Sequence, residues 1–128
     1  MDALTKKWLE RAKYDLATAE AMLKARRYLY VAYMCQQCIE KTLKAIIVES
    51  GRKALPIHNL VRLAEEAKVH SEMGQGNQNF LADLTPFAIE ARYGDYRKSL
   101  SEIIDRKKSK RCLLETKEIF KWLRKRLT

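Results

Sequence analysis

Glu40 and Lys44 stand four residues apart with the acid nearer the N-terminus, the favoured order for an ion pair on a helix. They lie in the stretch Val31–Val48, VAYMCQQCIEKTLKAIIV. Wound as a helix at about 100° per residue, this stretch separates into two faces. Val31, Cys35, Cys38, Ile39, Thr42, Leu43, Ala45 and Ile46 fall on one. Tyr33, Gln37, Glu40, Lys41 and Lys44 fall on the other. The apolar face needs partner helices, so this is the central helix of a bundle. The polar face is a candidate ligand site through Gln37, Glu40 and Lys44, although its residue types alone favour a solvated helix surface.

A second cluster is ARYGDYRKSL, Ala91–Leu100. Gly94 breaks the helical pattern there, and Arg92, Tyr93, Tyr96 and Arg97 gather around it. Guanidinium forks beside aromatic rings hold phosphate or single-stranded nucleic acid. The same residues also tie a loop over a core, by Tyr packing and an Arg–carboxylate pair. The third group is the basic run after Asp105. Ten Lys/Arg and two Glu lie between Arg106 and Thr128, which places +8 of the formal +10 there. Lys107, Lys110, Arg111, Lys117, Lys121, Arg124 and Lys125 share one face of a helix. A charge run is usually a solvated face, but a one-sided run at this excess also suits a polyanion, with Lys110, Arg111, Lys117, Lys121 and Arg124 as its contact candidates.

His58 is a further candidate, near a helix start where it can cap or bond to a neighbour. A histidine without another His or Cys close in sequence is a poor metal ligand, and the sequence implies neither a metal nor a cofactor. Three cysteines make no disulfide framework. Cys35 and Cys38 have redox-motif spacing, but they lie inside a helix with both sulfurs on its apolar face. They read as small buried hydrophobes.

The elements that position these groups are all helical. The chain of 128 residues is 47% hydrophobic and 33% charged, a globular balance with room for one core, so a single domain over 1–128 is expected. Leu4, Trp8, Ala12, Leu16, Ala19 and Leu23 stripe a first helix from about Asp2 to Ala25, with Asp15 at its edge needing a partner. Arg26-Arg27-Tyr28 makes a short connection to the central helix, which ends near Ser50-Gly51. A third helix starts around Pro56–Asn59. Ser71–Gln78 reads as a loop. A fourth helix spans Gln78–Ala91, kinked or restarted at Pro86. The last, about Asp105–Leu127, turns Cys112, Leu113, Thr116, Ile119, Phe120, Leu123 and Leu127 inward. The expected fold is thus all-α, an up-and-down bundle of about five helices. The start is already amphipathic and carries acids, unlike a signal peptide, and no apolar run reaches the roughly 20 residues of a membrane span, so a cytoplasmic location is expected.

W-L-E-R-A-x-x-D-L-x-x-A (Trp8–Ala19), Q-Q-x-x-E-K-x-x-K-A (Gln36–Ala45), P-x-H-x-L (Pro56–Leu60) and A-R-Y (Ala91–Tyr93) occur in this order over almost the whole chain. In this the sequence resembles the HEPN domain family. The resemblance implies a HEPN-like bundle, a homodimer, and work beside a minimal nucleotidyltransferase in a toxin–antitoxin-like pair. Many members of that family are metal-independent ribonucleases with an R-x4-6-H motif completed across the dimer. Here four to six intervening residues after Arg92 lead to Arg97, Lys98 and Ser99, none of them His. Arg52 and His58 fit the count, but in the turn before the third helix. The resemblance therefore implies a module that binds RNA or a nucleotide. The alternative is a divergent ribonuclease using Arg92 with Tyr93, Lys44 or His58. A bland third reading is a structural partner for an acidic protein.

Overall fold

The computed structural model describes residues 1–90 and 101–127. Helix α1 (Ala3–Lys24) opens on Asp2, whose carboxylate accepts from the Thr5 amide at 2.8 Å. That bond holds the Asp2 carboxyl below its ordinary value. Leu9, Ala12 and Ala19 are buried, with Leu16 half-buried beside them. Leu4, expected inside, is exposed. Thr5 takes the inward position instead, its hydroxyl donating to Glu49 at 3.3 Å.

Helix α2 (Tyr28–Glu49) follows after Ala25–Arg27 and packs antiparallel on α1. Its Val31, Cys35, Cys38, Ile39, Leu43 and Ala45 are all buried, as their spacing implies. A short α3 (Leu60–Glu66) is capped by the Asn59 side chain, which accepts from the Arg62 amide at 3.1 Å. The expected loop at Ser71–Gln78 is largely helical. A 3-10 turn spans His70–Glu72, and α4 (Gln75–Leu84) begins at Gln75. The Gln78 side chain donates to the carbonyls of His70 and Met73, and Leu81 and Leu84 are buried, which outweighs the glycines nearby. Pro86 separates α4 from α5 (Phe87–Glu90), so the helix restarts there, one of the two outcomes expected of this proline.

The last long helix, α6 (Arg106–Arg124), is capped by Asp105 and runs into a 3-10 turn at Lys125–Leu127. All seven residues expected to face inward are buried. Glu20 meets Lys117, and Leu9 shares a cluster with Leu127, so α6 runs antiparallel to α1. It packs on α2 and α1 together. The core is therefore a three-helix layer, with α3–α5 closing the side of α2 that α1 and α6 leave open. Among the described residues there is no strand, and no helix is long and apolar enough to cross a membrane.

Three helices end in the same way. At the end of α1 the Arg26 amide donates to the Leu23 carbonyl (3.1 Å) and the Arg27 amide to that of Met22 (2.9 Å). Gly51 and Arg52 repeat this on Val48 and Ile47, as do Lys68 and Val69 on Glu65 and Ala64. This closure requires a left-handed residue, which glycine adopts without strain. Gly51 has φ 89°, yet Arg26 (φ 60°) and Lys68 (φ 61°) carry full side chains there.

Candidate functional site

The polar side of α2 is not a solvated surface. Glu40 and Lys44 have side chains only 5% and 7% exposed, and Gln36 and Gln37 are buried with them. The reason is the position of α2. Trp8 of α1 covers Lys44, whose Nζ lies 5.5 Å from the ring centroid, and the loop before α3 lies over Glu40. Glu40 Oε2 accepts from Lys44 Nζ at 3.0 Å. Glu40 Oε1 accepts from Gln36 Nε2 at 3.1 Å and faces His58 Nδ1 at 2.8 Å. Gln36 Nε2 also donates to the His58 carbonyl at 3.0 Å, and Gln37 Nε2 to Gln36 Oε1 at 2.7 Å. Every member of the cluster is bonded to another, the condition for burying such groups at tolerable cost.

His58 thus bonds to a neighbour, as its position suggested, while the cap is made by Asn59. Its side chain is 45% exposed. A carboxylate only accepts, so Nδ1 carries the proton in this bond, and the ring as a whole stays partly exposed. A histidine oriented by a carboxylate can exchange a proton with a bound hydroxyl. Arg52 is occupied elsewhere. Its guanidinium lies 3.6 Å from the Glu66 carboxylate and donates to the Glu66 carbonyl, and its Nε donates to Ser50. The Arg52–His58 spacing therefore corresponds to two side chains with separate partners. Gln36 was not among the candidates read from the sequence, although it opens the Q-Q-x-x-E-K motif and stands i,i+4 from Glu40.

Asp15 does find the partner its position demands, the ammonium of Lys41. The cysteines are buried and free. Burial pushes the Cys38 thiol well up, and contact with Cys35 together with burial does the same to Cys112, so neither is a ready nucleophile. Among the described residues no three His, Cys, Asp or Glu gather as a metal would need.

On α6 the basic residues are exposed along one side. Lys117 pairs with Glu20 at 2.7 Å, and the Arg124 guanidinium lies 5.6 Å from the Phe120 ring. Lys110, Arg111, Lys121 and Arg124 have no carboxylate partner among the described residues. A hollow of about 570 Å³ lies between α4 and the start of α6, lined mainly by apolar groups such as Phe80, Leu84, Phe87, Ile104 and Cys112. It contains none of the α2 cluster. Arg92, Tyr93, Tyr96 and Arg97 lie outside the described residues.

Residues 5–126 match the family model of the HEPN domain. The chain belongs to the HEPN family. Within it, the chain is similar to "Putative toxin MJ1304" of Methanocaldococcus jannaschii, 39% identical over 46 residues. That match covers 36% of this chain and 30% of the relative, so the chain spans under a third of the length of the curated protein it matches. Its fold is that of TT1696 from Thermus thermophilus, a crystal structure with a TM-score of 0.81. The two are 20% identical over 95% of this chain and 97% of the other. In this HEPN chain the histidines are His58 and His70, and the oriented one stands over Glu40.

Proposed function

We propose that this HEPN chain is a binding module for RNA or a nucleotide, one half of a toxin–antitoxin-like pair whose other half is a minimal nucleotidyltransferase. The observation that carries this is the outer face of α6, where Lys110, Arg111, Lys121 and Arg124 stand exposed without carboxylate partners among the described residues. Clustered fixed cations of this kind gather phosphates through counterion release. The relative from Methanocaldococcus jannaschii bears the name of a toxin, which suits one member of such a pair. A homodimer follows from the family resemblance, and Arg92 and Tyr93 add a phosphate fork and a stacking ring. The chain acts as a single domain.

A ribonuclease is the second reading, favoured by the Glu40–His58 bond on a ring that stays partly exposed. RNA carries its own nucleophile, the 2′-hydroxyl, so cleavage needs a proton carrier and a phosphate holder. Metal-free incubation with mixed single-stranded RNA separates the two. The binding reading expects little or no cutting, with Arg92→Ala weakening binding. Robust cleavage lost in both Arg92→Ala and His58→Ala overturns it in favour of the enzyme. Light scattering tests the dimer, and co-purification with a co-expressed minimal nucleotidyltransferase tests the pair.

A further inference from the structure

The end of the bundle where α1 stops and both α2 and α6 begin carries two neighbouring hollows that share Arg26. One, of about 270 Å³, is lined by Leu23, Lys24, Arg26, Arg106 and Lys110. The other, of about 330 Å³, is lined by Arg26, Arg27, Tyr28, Leu29, Tyr30, Ser101 and Ile104. Among the described residues the first hollow is walled by four cations and one leucine, with no acid. Neither Arg26 nor Arg27 enters an ion pair among the described residues. The neighbouring carboxylate of Asp105 is turned away to the Lys108 amide at 2.8 Å. The second hollow adds the half-buried rings of Tyr28 and Tyr30 and is at the small end of ligand pockets, roughly 300 Å³ and upward.

We infer that these two hollows form one site for a terminal phosphate monoester of a nucleotide chain. A phosphate monoester carries about 1.5 to 2 negative charges and three acceptor oxygens near neutrality, against one charge for an internal phosphodiester. Four cations around one small hollow fit the doubly charged end group. Guanidinium groups bond it through paired N–H donors. The tyrosine-lined hollow next to it takes the attached sugar and base against an aromatic face. The placement of Arg26 agrees with a role for its side chain. It occupies a left-handed position that glycine fills at the end of α2. This inference deepens the RNA-binding reading and rests on it for the identity of the ligand, but it uses different residues from the outer α6 face apart from Lys110.

Calorimetric titration with AMP and with adenosine tests the site directly. The wild-type protein binds AMP and binds adenosine at least about tenfold more weakly, the factor expected for charge-assisted bonds. Arg26→Gly with Arg106→Ala removes the preference. The glycine relieves the left-handed backbone, so a folded variant is secured and its unfolding midpoint verifies this. Lys6→Glu with Lys7→Glu, exposed at the opposite end of α1, leaves AMP binding unchanged. Equal binding of AMP and adenosine, or AMP binding that survives Arg26→Gly with Arg106→Ala, overturns the site. Inorganic phosphate binding as tightly as AMP overturns its nucleotide half. A single-stranded RNA with hydroxyl ends distinguishes the two levels. Binding of that RNA without AMP binding refutes the site and keeps the outer face. AMP binding without RNA binding refutes the outer face and keeps the site.

Discussion

Lys44 and Lys117 each meet a glutamate, at 3.0 Å and 2.7 Å, and the shorter bridge is the weaker one. Lys117 and Glu20 are 42% and 46% exposed, so water and salt screen them and either can leave without harm. Lys44 and Glu40 are enclosed by Trp8, Gln36 and the His58 loop, and removing one strands the other. The difference shows what distance alone conceals. The α2 cluster fixes where the loop before α3 sits, while Lys110, Arg111 and Lys121 of α6 stand exposed with no carboxylate partner among the described residues.

The largest expected effect is at Glu40. Glu40→Ala leaves Lys44 and Gln36 buried without their acceptor and costs about 3 kcal/mol or more, read by urea unfolding. Glu20→Ala costs less than about 1 kcal/mol by the same measurement. Equal losses would erase the contrast. Glu40→Leu with Lys44→Leu should recover much of the stability while freeing the His58 loop.

The exposed side answers to salt rather than to denaturant. Lys117→Glu with Lys121→Glu should weaken RNA binding. For every phosphate the face no longer neutralises, the plot of log affinity against log salt should flatten by about 0.7. The unfolding midpoint of this variant should stay close to that of the wild type. Binding that ignores both salt and the substitutions would leave the face merely solvated.

A smaller gain comes from the helix ends. Lys68→Gly and Arg26→Gly should each stabilise by roughly 0.5–1 kcal/mol, since glycine removes the left-handed penalty and returns part of it as chain entropy. Only the second should affect AMP binding. The smallest effect belongs to Asp2. Its carboxyl is held below the ordinary value in the folded state, so its contribution is present above the ordinary Asp pKa and fades as pH falls through the lower folded value. The difference in thermal midpoint between wild type and Asp2→Asn should therefore shrink in strong acid. A difference that persists there would locate the effect outside the cap charge.

The long helices were legible because α1, α2 and α6 repeat their apolar residues at the helical period, and a helix shows one face to the core. HEPN membership was legible in four spaced motifs. The burial of Glu40 and Lys44 was not. Periodicity assigns polar residues outward, and what encloses these two comes from Trp8 on one side and His58, 18 residues beyond Glu40, on the other. The start of α4 at Gln75 was hidden by Gly74 and Gly76, whose low propensity is overridden by the buried Leu81 and Leu84. Arg26 and Arg27 read only as a connection, because nothing in their own neighbourhood announces Arg106 and Lys110, which approach Arg26 from a distant helix.

The short link between α1 and α2 also sets an order of events. Contacts between these helices close small loops, whereas α6 must return across more than half of the chain to reach the groove they share. Local pairings form fast and distant ones late. During synthesis the α1–α2 hairpin is complete while Cys35 and Leu43 still lack the last helix that covers them, and this half-built groove is the species most exposed to misassembly. A disturbance of α1–α2 should slow folding, whereas one in α6 should chiefly hasten unfolding.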